Sequence, residues 1–250
     1  MVVTWSVKTI RLGTISADKS GLTHFRNFGV KLELPIWCVA ATDGRHKVLI
    51  DTGIDDIDWV VAGPEPAAHQ RQDEQMRAAL KAAMDWSPGD VDIVINTHLH
   101  FDHCGCNFMF KNARIYVQKK EMEAAYDPPA GIKHLYAPKC FDKHAVPYFQ
   151  WEFLDGEAAI APGLLVFPTP GHTLGHQSVL INIEEGALCV AGDVASLVEN
   201  ITANIETSIL VDAAAVYASF DSIRRKADFI IPGHEPGIPN LCKSGFPRID

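Results

Sequence analysis

One run of seven residues, Thr97-His98-Leu99-His100-Phe101-Asp102-His103, constrains this chain more than any other feature. It sets three imidazoles and one carboxylate directly after Val91 to Asn96, an apolar stretch that reads as a short buried strand. Alternate residues of an extended chain share a face, so His98 and His100 point the same way. A bend at Asp102 then turns Asp102 and His103 toward a second point. Imidazole and carboxylate suit Zn²⁺, Fe²⁺ or Mn²⁺, and the close spacing is what a two-metal site needs. The fold must therefore end a buried strand in a compact cluster of metal-binding groups.

Three other segments repeat that pattern. Thr169-Pro170-Gly171-His172, Ala191-Gly192-Asp193 and Ile231-Pro232-Gly233-His234 each close an apolar stretch with a glycine and then a ligand-type side chain. Glycine allows the tight backbone that brings a short side chain close to an ion. Any one of these segments alone is a weak signal, but three of them following the histidine run in this order are a strong one.

The rest of the pattern places these segments on strand ends. Residues 34–50 read as two strands joined by a turn at Asp43-Gly44, and Asp51-Thr52-Gly53 stops the second. Residues 72–85 have a helical period, with Met76, Leu80, Ala83 and Met84 on one face. Ser87 to Asp90 breaks that helix. A strand is predicted at 114–118 and a helix at 119–125. Residues 127–148, rich in Pro and Gly, read as a loop or lid. Further strands are predicted at 151–154, 164–168, 177–183, 187–191 and 228–231, with a helix at 212–226. This predicts one domain over 1–250, built from two β-rich halves of roughly 1–126 and 150–250 joined by the 127–149 region, with the helices outside.

Composition narrows the function classes. A formal net charge of −9 argues against nucleic acid and anionic membrane surfaces as partners, since both would be repelled. No apolar run approaches the roughly 18–20 residues needed to span a bilayer, and residues 1–13 lack the pattern of a signal peptide. The six cysteines are scattered through apolar segments and read as mostly buried free thiols, so a cytoplasmic location is expected.

At this point the chain resembles the metallo-β-lactamase superfamily, an α/β fold built as an αββα sandwich, and within it the N-acyl homoserine lactonase branch. The superfamily resemblance is carried by Asp51-Thr52-Gly53, the histidine run, His172, Asp193 and His234. The branch resemblance is carried by Leu34-Pro35-Ile36-Trp37-Cys38, Phe101, Ile115-Tyr116-Val117-Gln118 with Glu121, and Gly171 to Ser178. The resemblance implies that His98, His100 and His172 bind one divalent ion, and that Asp102, His103 and His234 bind another. It also implies that Asp193 bridges the two, with zinc the expected metal. The implied reaction is attack of a metal-bridging hydroxide on the carbonyl of a lactone or related ester, with Asp102 and Asp193 as the catalytic carboxylates. Asp51 reads as a carboxylate that orients a ligand imidazole.

One position departs from the branch. Its members commonly carry a tyrosine three residues after the bridging aspartate, and this chain has Ser196 there. Either a metal ion alone polarises the carbonyl, or another residue supplies a donor, or the substrate differs. His176 reads as a structural neighbour of the site, and His24, His46, His69, His134 and His144 as surface or loop residues. Trp5, Phe25, Phe28 and Trp37 form either an apolar acyl pocket or ordinary core. The competing functions are a thioesterase or β-lactamase-like amidase on the same fold, an iron-dependent oxidoreductase, and a metal-binding protein without catalysis.

Overall fold

The computed structural model describes residues 3–55, 68–238 and 246–249. Two sheets stack face to face. The larger contains β1 (Ser6–Asp18), β2 (Lys31–Thr42), β3 (Lys47–Ile50), β4 (Ala68–His69), β5 (Ile93–Ile95), β6 (Arg114–Gln118) and β7 (Gln150–Leu154), in the order β4-β1-β2-β3-β5-β6-β7. The smaller contains β8 (Ala158–Ala161), β9 (Leu164–Pro168), β10 (Gln177–Ile183), β11 (Gly186–Gly192) and β12 (Phe229–Pro232), in the order β12-β11-β10-β9-β8. Both sheets are mixed: β3, β5, β6 and β7 run parallel in the first, and β11 and β12 run parallel in the second.

The period of two along each strand divides the side chains between layers. In β2, Val39 and Ala41 face the second sheet and pack with Val48, Ile50, Ile93 and Ile95 against Val166, Val179, Ile181 and Val190. Their neighbours Ile36, Cys38 and Ala40 point outward, onto Met76 and Leu80 of helix α1 (Met76–Met84) and Phe101 of helix α2 (Phe101–Cys104). Helix α3 (Lys119–Tyr126) adds Met122 and Ala125 to that outer layer. On the far side, α5 (Ala213–Lys226) sets Val216, Phe220 and Ile223 on Phe167, Cys189 and Ala191; the short α4 (Val198–Thr202) precedes it. This is the αββα sandwich.

Several elements differ from the sequence reading. The helix expected at 72–85 starts at Met76, because Gln75 is extended and leaves Gln72–Glu74 as a separate 3-10 turn. Strand β1 and strand β8 were not anticipated. β1 is interrupted by a register shift between Arg11 and Thr14, which blurs its alternation. Strand β7, assigned by sequence to the second half, pairs with β6 and belongs to the first sheet, so the change of sheet falls after it. The 127–148 segment has no α-helix or strand, and its 3-10 turns are tied to the body by an isolated bridge between His100 and Tyr136. The five cysteines among the described residues are buried and form no disulfide, and Cys242 lies outside the described residues. Among the described residues no helix is long and apolar enough to cross a membrane.

Candidate metal centre

Five strand ends converge at one end of the sandwich. Asp51 follows β3, Thr97 to His103 follow β5, His172 follows β9, Asp193 follows β11 and His234 follows β12. All seven ligand candidates are buried. Helix α2 accounts for the turn in the histidine run: His98 and His100 precede it on extended chain, and Asp102 and His103 lie within it.

The ring nitrogens point at one another. His98 Nε2 and His172 Nε2 lie 3.0 and 3.1 Å from His100 Nδ1. Ligands held about 2.0–2.1 Å from a tetrahedral ion sit about 3.3 Å apart, so this trio is spaced as one coordination face. In the adjoining group, His234 Nε2 is 3.2 Å from Asp193 Oδ2 and 3.5 Å from Asp102 Oδ2. His103 Nε2 is 3.4 Å from Asp193 Oδ1 and 3.6 Å from Asp102 Oδ2. Asp193 Oδ2 also lies 3.7 Å from His172 Nε2, so this carboxylate touches both groups.

In four of the five rings the opposite edge is fixed by a hydrogen bond. His103 Nδ1–H donates to Asp51 Oδ2 at 2.8 Å, His172 Nδ1–H to the Ile209 carbonyl at 2.7 Å, and His234 Nδ1–H to the Pro35 carbonyl at 2.9 Å. His98 Nδ1–H donates to Thr97 Oγ1 at 3.0 Å, and that hydroxyl donates on to Asp51. These bonds select the tautomer whose Nε2 lone pair faces the centre. Asp51 is itself locked by the Thr97 backbone N–H at 2.7 Å.

Charge separates the two groups. Burial, joined by mutual repulsion among the imidazoles, pulls His98 and His100 well below the ordinary histidine range; burial also lowers His172. Burial acts the same way on His103 and His234, but Asp193, with Asp102, outweighs it and holds both above that range. Burial opposes the charge of Asp193, yet His234 and His103 keep its carboxyl well below the usual carboxylate range. The site thus offers neutral nitrogens on one side and draws positive charge to the other. His103 Nε2, His100 Nε2 and Asp193 Oδ1 are buried with no hydrogen-bond partner. Buried polar atoms are normally satisfied, and divalent cations would satisfy His103 and Asp193 as ligands. The donor set fits two such ions. His100 Nε2, on the far edge of its ring, is not explained by this.

The centre lies at the base of a cavity of about 490 Å³. Ile15, Ala17, Leu22, Leu34, Leu135 and Ile209 supply apolar wall, Phe101 adds an aromatic one, and Ser196, Thr207 and His134 add polar groups. None of the four aromatics considered for an acyl pocket lines it. Trp5 and Trp37 are core residues, and Phe25 and Phe28 are 78% and 71% exposed at the end of the β1–β2 hairpin. The same hairpin does build the wall, but through aliphatic side chains that residue size alone did not reveal. His134 is the other departure, a loop histidine whose segment folds over the cavity. His176 is buried behind the site, with Nδ1 2.9 Å from Thr169 Oγ1, and the thiols of Cys104 and Cys106 donate to the Leu99 and Ile54 carbonyls.

Comparison with known proteins agrees with this geometry. The family model described as the Metallo-beta-lactamase superfamily matches residues 33–234. The chain is 30% identical over 254 residues to N-acyl homoserine lactonase AttM of Rhizobium radiobacter, covering 91% of this chain and 92% of that one. It is 29% identical over 192 residues to an N-acyl homoserine lactonase of Bacillus cereus, covering 70% of each. Among solved structures it matches N-acyl homoserine lactone hydrolase with the product N-hexanoyl-L-homoserine bound at the catalytic metal center. That match has a TM-score of 0.80 and 25% identity, and covers 94% of this chain and 95% of that one. The chain belongs to the metallo-beta-lactamase superfamily, on the branch that contains these lactonases.

Proposed function

We propose that this enzyme opens the ring of an N-acyl lactone by metal-dependent hydrolysis. His98, His100 and His172 would hold one zinc ion, Asp102, His103 and His234 a second, and Asp193 both. The observation that carries the proposal is the seven-residue cluster, five of whose members line an apolar cavity. Zinc suits a set made wholly of imidazole and carboxylate, and when bound the pair supplies a water of lowered pKa and polarises a carbonyl.

The chain's own groups account for orientation and proton movement. The aliphatic wall takes an acyl chain, and no lysine or arginine lines the cavity among the described residues, which favours a neutral substrate. Hydrolysis joins a water oxygen to the carbonyl carbon and breaks the ring C–O bond. The ring oxygen must gain a proton as it leaves. Asp102, which lines the cavity, would take the proton released by the water and return it to that oxygen. A panel of lactones, thioesters and β-lactams, read as proton release, tests this. Turnover of a thioester or β-lactam with none of any lactone would end the lactonase reading.

Metal content gives a second test. Reconstituted protein is expected to hold about two zinc ions per chain by elemental analysis. A stoichiometry of one, unchanged by excess zinc, would count against the paired site.

Ser196 gives a third. It lines the cavity and is tied into the site through its carbonyl, which accepts from the His234 backbone N–H at 2.9 Å. Its hydroxyl is short beside the tyrosine of relatives. Ser196→Ala is therefore expected to lower kcat/KM by less than about tenfold, or about 1.4 kcal/mol. A loss of about 100-fold would instead assign the hydroxyl to the transition state.

A further inference from the structure

Glu121 of α3 is fully buried, makes no contact with the cavity, and yet is bound by every segment around one side of it. Its Oε1 accepts the Leu99 backbone N–H at 3.0 Å and the Tyr136 hydroxyl at 3.1 Å. Its Oε2 accepts the Thr173 hydroxyl at 2.6 Å and the Gly175 backbone N–H at 3.1 Å. Four donors fill the lone-pair sites of one carboxylate. Leu99 lies between His98 and His100, and Thr173 follows His172. Tyr136 follows His134 and Leu135 of the cavity wall, and its ring meets His100 edge-on at 4.7 Å. The packing leaves no slack, since a Cβ on Gly175 would lie 2.0 Å from the Glu121 backbone nitrogen.

We propose that Glu121 and Tyr136 are positioning residues, a clamp that sets the spacing of His100 and His172 and locks the 133–140 segment as the cavity wall. The clamp rests on the assignment of those histidines as metal ligands, but its tests need no substrate. Glu121 cannot be replaced by an amide without conflict. Whichever way glutamine is turned, its NH₂ faces two of the four donors.

Glu121→Gln is expected to weaken zinc binding at one of the two positions by at least about tenfold, measured on metal-free full-length protein by competition with a chromophoric chelator. Thr173→Val removes one donor without altering α3 and should act in the same direction, while Thr173→Ser, which keeps the hydroxyl, should restore near wild-type affinity. These two variants decide the matter if Glu121→Gln does not fold. Tyr136→Phe keeps the ring and loses only the hydroxyl, with its bonds to Glu121 and Thr173, and is expected to speed amide hydrogen exchange across residues 132–141. A purely structural role would lower the melting temperature and leave zinc affinity unchanged. Wild-type zinc affinity in Thr173→Val, or unchanged exchange in Tyr136→Phe, overturns the clamp.

Discussion

Asp193→Ala is expected to reduce turnover to below about a thousandth of wild type and to release at least one metal ion. The loss should exceed the 10- to 100-fold typical of residues that only support a ligand. Asp193 touches both groups, with Oδ2 3.2 Å from His234 and 3.7 Å from His172, and Oδ1 3.4 Å from His103. Two dications about 4 Å apart repel by on the order of 16 kcal/mol at an effective dielectric of about 20, four times the unit-charge value. A shared carboxylate is the direct screen against that repulsion. Asp193→Asn separates charge from shape: it keeps the side-chain volume, loses the negative charge, and should also lose an ion. Elemental analysis with steady-state kinetics measures both, and far-UV circular dichroism checks that the fold survives. Two retained metals with near wild-type turnover would falsify the bridge.

The sandwich was legible where strands are buried on both faces or alternate cleanly. Residues 91–96, 164–168 and 177–183 are apolar runs of strand length bounded by turn residues, and each forms a strand there or within a residue or two. The misses have physical causes. Strand β1 changes register between Arg11 and Thr14, so its inward and outward residues do not keep one phase. Strand β8, Ala158–Ala161, is a short edge strand rich in alanine, which carries little strand preference. Strand β7 looked like the start of a second half because a loop precedes it, but pairing partners are a long-range choice that local pattern does not encode.

The candidate metal site was more legible than its surroundings. Ligand-type side chains are chemically distinctive and sit at fixed offsets from strand ends, so the candidates His98 to His103, His172, Asp193 and His234 could be singled out one segment at a time. Asp51 stood out by the same logic, and its carboxylate meets His103 and Thr97. The cavity wall carries no such mark. Ile15, Ala17, Leu22 and Leu34 are ordinary apolar residues whose role depends on where a long hairpin lies over the site. His134 was likewise hidden, because only the folded path of the 127–148 segment brings it to the cavity. The four donors to Glu121 come from three segments up to 76 positions apart, from Leu99 to Gly175, so their convergence is visible only in three dimensions.

Gly233→Ala is expected to leave the fold standing while dismantling the metal centre. Gly233 precedes His234 at the end of β12, and its backbone is not in the left-handed region, so alanine is conformationally allowed there. The added Cβ, however, would lie 1.9 Å from Asp193 Oδ1 and 3.1 Å from its Cγ. No real contact is that short, and the side-chain carboxylate yields more readily than either strand. Asp193 must then swing away from His103, and the shared ligand is lost without any ligand being mutated. Zinc titration of metal-free protein should show one ion bound with near wild-type affinity and the second weakened by at least about 100-fold. Turnover should fall at least as far, while the melting temperature of the metal-free protein moves little. Gly175→Ala is the contrasting control, because its Cβ would meet the backbone of Glu121, which cannot swing aside, and the expected result is loss of soluble folded protein. Gly233→Ala protein that binds two zinc ions normally and retains full activity would show that Asp193 tolerates a different pose, and the placement of the bridging carboxylate would have to be abandoned.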